Sequence, residues 1–133
     1  MRKLKEQYPY VQKQGFLMPF VPIKLINKNL TLDVMALIDS GSTVNVVPYQ
    51  VGLALGGVWD DKIANFTLTG NLSSHPSCPL ILKGVIGIFQ PLVLGFAWSK
   101  RNDAPIILGN INFFDHFDVS FYRKSKFFEL TQY

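Results

Sequence analysis

The sequence predicts an all-β fold, with its strands closed into a barrel or packed as a sandwich. Short apolar segments rich in β-branched and aromatic residues alternate with turn residues, which is typical of strands. Segments with helical periodicity are few and short. The chain has 133 residues, of which 48% are hydrophobic and 17% charged, so one domain with one core is expected.

The first strands are predicted after a polar start. Residues 1–15 are expected to form a loosely held polar arm, which leaves residues 16–133 as the folded domain. The segments FVPIKLI (20–26) and LTLDVMALI (30–38) flank Asn27-Lys28-Asn29 and predict a β-hairpin. The next strand, VNVV (44–47), is short.

The middle of the chain combines a short helix with further strands. Pro48 is predicted as the first residue of a helix that ends at Gly56-Gly57. The alternating segment ANFTLT (64–69) predicts a strand, and residues 70–79 predict a long polar turn with two prolines.

The second half is predicted to contain three strands, one or two helical turns and a closing hairpin. These elements are LILKGVIGIF (80–89), PLVLGFAW (91–98), IIL (106–108), the turns in NINFFDHF (110–117), and the hairpin FDVSFY (117–122) with KFFELTQ (126–132).

The cysteine content favours a protein of a reducing compartment, and the lengths of the apolar segments argue against a membrane-spanning segment. The net charge of +4 is spread over the ends and loops, which is typical of a solvated surface. Cys78 is the one cysteine, so an internal disulfide is excluded. The most apolar stretch, residues 84–98, is too short to span a bilayer, and no signal peptide is evident. We therefore expect a cytoplasmic protein.

The segment ALIDSGSTVNVV (36–47) contains the main candidate for chemistry. Asp39 follows three apolar residues at the end of a strand, where a carboxylate is costly unless it is bound or used. Glycine at position 41 permits a tight loop, and its backbone amides with the hydroxyls of Ser40 and Ser42 are able to hold an ionised carboxylate. A simple Asp-Ser-Gly-Ser turn is the alternative, but apolar strands on both sides argue against a surface turn.

Two segments in this order resemble the retropepsin-like aspartic proteases, in particular their prokaryotic members. ALIDSGSTVNVVP is similar to the catalytic loop of that family, and PIILGNINFFDHFDVSFY is similar to its later apolar-apolar-Gly strand and short helix. The segment NFTLTGNLSSHPSCPLIL lies between them, where the family has its flap hairpin. The resemblance implies a closed β domain with a flap hairpin and one short C-terminal helix, assembled as a homodimer.

The resemblance also implies roles for individual residues. Asp39 is the implied catalytic carboxylate, and Ser40 is the implied brace between two such loops across a dimer axis. Gly41 would allow close approach to the substrate, and Ser42 would reach the outer carboxylate oxygen. The implied supporting residues are Ile107, Leu108 and Gly109 under the loop, and Thr69, Gly70 and Asn71 at the flap.

One loop of this kind holds half of an aspartic protease site. The chemistry needs two facing carboxylates that share one proton, and none of the other acids lies in a second such loop. The second Asp39 is therefore expected from a second copy, with the site on a two-fold axis. The expected function is cleavage of an extended peptide or protein substrate without metal or organic cofactor, and no nucleic-acid partner is expected.

Two positions depart from the family pattern. Members usually have Asp two residues after the loop glycine and Arg after the second glycine, where this chain has Thr43 and Asn110. Both charges are lost together, which removes a brace near the cleft without leaving a lone charge. A non-catalytic dimeric module that binds peptides stays open as the alternative, and a basic nucleic-acid-binding β domain is a third possibility. A metal or thiol site at His75 and Cys78 is a weaker candidate, since no further cysteine is available.

Overall fold

The computed structural model describes residues 3–64 and 76–133. Within these ranges the chain forms strands, one α-helix and one 3-10 helix. They are β1 (Leu4–Pro9), β2 (Val11–Lys13), β3 (Phe16–Met18), β4 (Phe20–Asn27), β5 (Leu30–Ile38), β6 (Asn45–Val47), α1 (Tyr49–Ala54), β7 (Ser77–Val85), β8 (Leu92–Ser99), β9 (Ile106–Leu108), the 3-10 helix (Phe113–Asp115), β10 (Asp118–Tyr122) and β11 (Phe127–Gln132).

Six of these strands close into a barrel in the order β4-β5-β9-β6-β8-β7, and β7 pairs back to β4. The pairs β5–β9 and β6–β8 are parallel, whereas the long hairpins β4–β5 and β7–β8 are antiparallel. The predicted closed all-β fold is confirmed. No helix in the described ranges is long and apolar enough to cross a lipid bilayer.

The barrel interior is filled by alternate side chains of its strands. In β4 the inward residues Val21, Ile23 and Leu25 are buried, and the residues between them are exposed. Burying one such aliphatic side chain contributes about 1.5–3 kcal/mol. The other large side chains that are fully buried are Val47, Leu55, Leu82, Ile86, Leu94, Trp98, Leu108, Phe113, Phe128 and Leu130.

The expected loosely held arm is wrong over most of its length, because residues 4–9 form a strand. β1 pairs with β11 from Leu4↔Gln132 to Pro9↔Phe127, in a three-stranded sheet ordered β1-β11-β10. Its polar composition concealed a period of two, in which alternate side chains are partly buried and the others exposed. Tyr8 stacks on the buried Phe128 with ring centroids 5.7 Å apart.

A small second hairpin follows this strand. β2 and β3 pair from Val11↔Met18 to Lys13↔Phe16, so the loop contains only Gln14 and Gly15. Both have positive φ, at 50° and 83°, as a two-residue turn of the mirror-image type requires. The hairpin is therefore a local unit that forms its own two-stranded sheet.

The helix α1 begins and ends close to the predicted positions. Pro48 is its N-cap rather than its first helical residue. At the other end Gly56 has φ +78°, and its amide bonds Leu53 O while the Gly57 amide bonds Gly52 O. This pair of bonds forms a Schellman motif, which uses the left-handed conformation open to glycine.

Two segments differ from the sequence prediction. β7 begins at Ser77, inside the predicted polar turn, because it pairs with β8 from Ser77↔Ser99 onward and buries Cys78. It ends at Val85, and Ile86–Phe89 forms a turn closed by a bond from Phe89 N to Ile86 O of 3.0 Å. The predicted strand 64–69 lies outside the described residues except for Ala64. The predicted helical turns at 110–117 are present as the single 3-10 turn.

The contact between α1 and β8 yields a stability prediction. A Cβ at Gly52 would overlap the indole of Trp98, which is 1% exposed and fixed by a bond from Nε1 to Tyr49 O. Gly52→Ala should lower the free energy of unfolding by about 1–3 kcal/mol in urea titration. The matched control is Gly95→Ala, since a Cβ there meets nothing within 4 Å. Equal stability of the two variants would contradict this packing.

Candidate active site

Asp39 stands at the carboxyl end of β5, where the chain leaves the barrel. Its backbone amide donates to Leu108 O at 3.0 Å, which continues the parallel pairing of β5 with β9 by one residue. Ala36 and Ile38 are buried in the barrel, so Leu37 and Asp39 point to the opposite face. The carboxylate is half-buried, and its Oδ1 accepts the Gly41 amide at 2.9 Å.

The Asp39 loop, residues 39–43, folds back on itself after the strand. Ser42 N donates to Asp39 O at 3.1 Å, which closes a tight turn. The Ser42 hydroxyl donates to Val44 O at 2.7 Å, so it is used within the backbone and not at the carboxylate as expected. Ser40 and Gly41 are exposed at the tip of the turn.

The segment after β9 lies directly against this loop. A Cβ at Gly109 would be 2.5 Å from Val44 O and 2.7 Å from Ser42 O, so only glycine fits without a shift of backbone. Of the three supporting residues expected here, Leu108 and Gly109 contact the loop. Ile107 pairs instead with Leu37 on one side and Val46 on the other.

Asn110 forms a brace that the sequence did not predict. Its backbone amide donates to Ser42 O at 2.9 Å, and its side-chain Nδ2 donates to Ser40 O at 2.7 Å and to Ser42 O at 3.1 Å. Ile111 N then donates to Thr43 O at 2.8 Å. The charged pair that is usual in retropepsin-like proteases is absent here, and neutral hydrogen bonds connect the same two segments.

Asn45 is a further residue of the site that was not predicted from the sequence, and it is completely buried in β6 at 0% exposure. Its Oδ1 accepts the Gly109 amide at 2.8 Å. The signal was present in the sequence, because a single asparagine inside the apolar run VNVV needs buried partners.

A cavity of about 430 Å³ opens on the face of β5 that carries Asp39. Leu37 lines it two residues before the carboxylate, and its cross-strand partner Phe20 forms the floor. Lys13 of the β2–β3 hairpin holds its Nζ 5.3 Å from the Phe20 ring centroid. The lining residues are Lys13, Gln14, Phe16, Met18, Phe20, Leu37, Asn102, Asp103, Ala104 and Pro105.

The loop on the far side of this cavity is held by an ion pair. Arg101 Nε donates to Asp103 Oδ1 at 2.7 Å, and its Nη2 contacts the other carboxylate oxygen. The hydrogen bond to Asp103 raises the pKa of Arg101 above its ordinary value. A larger cleft of about 730 Å³ lies elsewhere, at the start of β8 and the 3-10 helix, and its lining contains no residue of the Asp39 loop.

Several predicted residues lie outside the described ranges. They are the flap candidates Thr69, Gly70 and Asn71, and His75 of the weaker thiol or metal hypothesis. Cys78 is buried, with its Sγ 3.5 Å from Asp60 O. Among the residues that the structure describes, no three His, Cys, Asp or Glu side chains come together as a metal site would require.

Comparison with known proteins identifies the architecture. The fold is similar to that of a retropepsin-like aspartic protease from Rickettsia conorii, with a TM-score of 0.62 and 16% sequence identity over 98% of this chain and 94% of that chain. No protein-family model matches this chain, and no curated protein matches it. The chain therefore has a retropepsin-like fold.

The Asn110 brace yields a second prediction. In Asn110→Asp a carboxylate oxygen replaces the donating amide and faces the carbonyl oxygens of Ser40 and Ser42. Loss of these bonds, with the new repulsion, should lower the free energy of unfolding by about 1–3 kcal/mol in urea titration. Asn29→Asp, at an exposed turn position, makes the same chemical change as a control. Equal effects in the two variants would mean that the brace is not formed.

Proposed function

We propose that this chain is an aspartic endopeptidase that works as a homodimer. The observation that carries the proposal is the Asp39 loop: a half-buried carboxylate accepts the Gly41 amide, and its backbone is tied to the strand beside it. The retropepsin-like fold supports the proposal, because a solved structure of similar fold is that of a retropepsin-like aspartic protease.

The proposed chemistry needs two copies of this loop. Two Asp39 carboxylates that face each other cannot both ionise, so they share one proton. The ionised carboxylate accepts a proton from water as the water attacks the scissile carbonyl, and the protonated one donates to the carbonyl oxygen. Ser40 and Gly41 are exposed in the single chain, which leaves the tip of the loop available at a two-fold axis.

The cavity beside Leu37 supports a substrate with a large apolar side chain next to the scissile bond. Met18, Phe20 and Leu37 give it apolar walls close to Asp39. An extended peptide that lies across the loop would place alternate side chains on this face, as strand-like recognition requires.

A non-catalytic dimeric peptide-binding module is the second candidate, and it would use the same fold and cavity. Replacement of the charged pair of the family by Thr43 and Asn110 is the observation in its favour. The two candidates differ only in whether the Asp39 carboxylate takes part in catalysis. A comparison of the wild type with a variant at Asp39 therefore distinguishes them.

Asp39→Asn should abolish cleavage of an unstructured protein at mildly acid pH, by about a thousandfold or more, because neither proton transfer is then possible. The fold should persist, since the Asn side chain retains an oxygen for the Gly41 amide. Cleavage is measured by mass spectrometry and folding by circular dichroism. Turnover equal to that of the wild type would refute the proposed role of Asp39, and binding without cleavage by the wild type would favour the second candidate.

Specific activity should rise with enzyme concentration and reach a plateau when the dimer dominates, because each chain contributes one Asp39 carboxylate to the proposed site. Excess Asp39→Asn protein should depress wild-type activity beyond simple dilution, since heterodimers contain a single Asp39. Mass is followed by analytical ultracentrifugation at the same concentrations. Full specific activity in demonstrably monomeric protein, with no effect of the variant, would exclude the shared site.

Met18→Trp should fill part of the cavity beside Leu37. Cleavage next to Phe or Leu should fall by about tenfold or more relative to cleavage next to Ala, because a pocket of reduced volume discriminates against large side chains. The measurement is kcat/KM on peptides that differ at that position. Leu53→Trp, on the exposed side of α1, is the matched control. An unchanged preference for Phe or Leu over Ala would mean that the apolar side chain of the substrate binds outside this cavity.

A further inference from the structure

Asn45 is a polar residue at a position where the pattern of the strand predicts an apolar one. It lies in β6 between Val44 and Val46, at 0% exposure, and β6 pairs with both β8 and β9. A buried amide without partners would be strongly destabilising, so its contacts decide what it contributes.

The contacts of Asn45 orient its amide without ambiguity. The Gly109 amide can only donate, so the atom 2.8 Å away is Asn45 Oδ1. Nδ2 on the other side donates to Gly95 O at 3.0 Å and to Asn112 Oδ1 at 3.0 Å. Both amide protons and the oxygen are therefore engaged, with one partner in β8 and two in the segment after β9.

Asn112 extends this network to the edge of β8. Its Oδ1 also accepts the Gly95 amide at 3.1 Å, and its Nδ2 donates to Val93 O at 2.8 Å. These bonds occupy backbone groups of β8 that lie before the β6 pairing, which begins at Phe96. The two side chains together join β6 and β8 to the segment after β9.

The Gly109 end of the network lies directly against the Asp39 loop. Leu108, one residue before Gly109, accepts the Asp39 amide through its carbonyl. Asn110, one residue after it, binds the carbonyls of Ser40 and Ser42. Movement of Gly109 would therefore shift the anchors on both sides of the carboxylate.

We propose that Asn45 is a positioning residue for the proposed active site, acting through Gly109 and supported by Asn112. The network fixes the position of the segment after β9 relative to the Asp39 loop. It thereby sets the direction in which each Asp39 carboxylate faces the Asp39 carboxylate of the second copy. This inference rests on the proposed function for its catalytic consequence, whereas the coupling of Asn45 to the loop is a property of the chain itself.

The test compares Asn45→Ala with Asn27→Ala in uniformly 15N-labelled protein. Asn27 makes one side-chain bond to Leu55 O at 2.7 Å, at the opposite end of β4 from the Asp39 loop, so its loss destabilises the fold without touching the site. In Asn45→Ala the amide signals of Gly109 and Gly41 should both shift, although Gly41 does not contact Asn45. In Asn27→Ala neither should shift.

Kinetics provide the second readout. Asn45→Ala should lower kcat by about a hundredfold with KM nearly unchanged, because misaligned carboxylates impair the reaction more than peptide binding. Asn27→Ala should retain the wild-type kcat per folded molecule. An Asn45→Ala protein that folds with an unshifted Gly41 signal and wild-type kcat would overturn the proposal, because the role of Asn45 would then be structural only.

If Asn45→Ala does not fold, Asn112→Ala tests the proposal in its place. Asn112 is only half-buried, and its removal takes away one acceptor of the Asn45 amide while Gly109 keeps its bond. Smaller shifts of the Gly109 and Gly41 signals in the same direction support the proposal, and their absence overturns it. If the wild type cleaves nothing, the proposed function fails. The amide signals of Gly109 and Gly41 still test whether Asn45 is coupled to the Asp39 loop.

Discussion

The structure depends on the close approach of two backbone segments at Gly109. The carbonyls of Ser42 and Val44 lie where a side chain would begin, so the two segments pack at backbone contact distance. This approach lets Leu108 O receive the Asp39 amide and Asn110 reach the loop from the other side. A larger residue would separate the segments and release the hydrogen bonds that orient the carboxylate.

Side-chain amides hold this contact in place of charges. Asn110 and Asn45 bind backbone groups around the loop, and Asn112 binds the backbone of β8. Gln132 makes a similar paired contact with the backbone of Gln90 near the start of β8. An amide offers a donor and an acceptor with peptide-like geometry, and it carries no charge, so it avoids the desolvation penalty of an ion pair. These bonds, unlike surface ion pairs, are not screened by salt, so the loop should keep its shape as ionic strength changes.

The sequence predicted the barrel and the Asp39 loop better than it predicted the connections between them. Hairpins such as β4–β5 are readable because period-two burial and turn residues are local signals. The strand β1 was missed because its inward side chains include Glu6, which reads as polar although it is half-buried and bonded to Tyr8. The roles of Asn45 and Asn110 depend on partners distant in sequence, and no local pattern reports such contacts.

The β2–β3 hairpin forms part of the cavity wall, but it is not part of the barrel that maintains the fold. Among the residues that the structure describes, its strands pair with each other and with no further strand. Its turn is local, and the Phe16 side chain is 67% exposed. Substitutions on this hairpin change the surface presented beside Leu37 without breaking a barrel hydrogen bond or moving the Asp39 loop. Under the proposed function, substitutions on the hairpin would therefore alter substrate selectivity at low cost to stability, and the hairpin is the natural segment to exchange when that selectivity is to be redesigned.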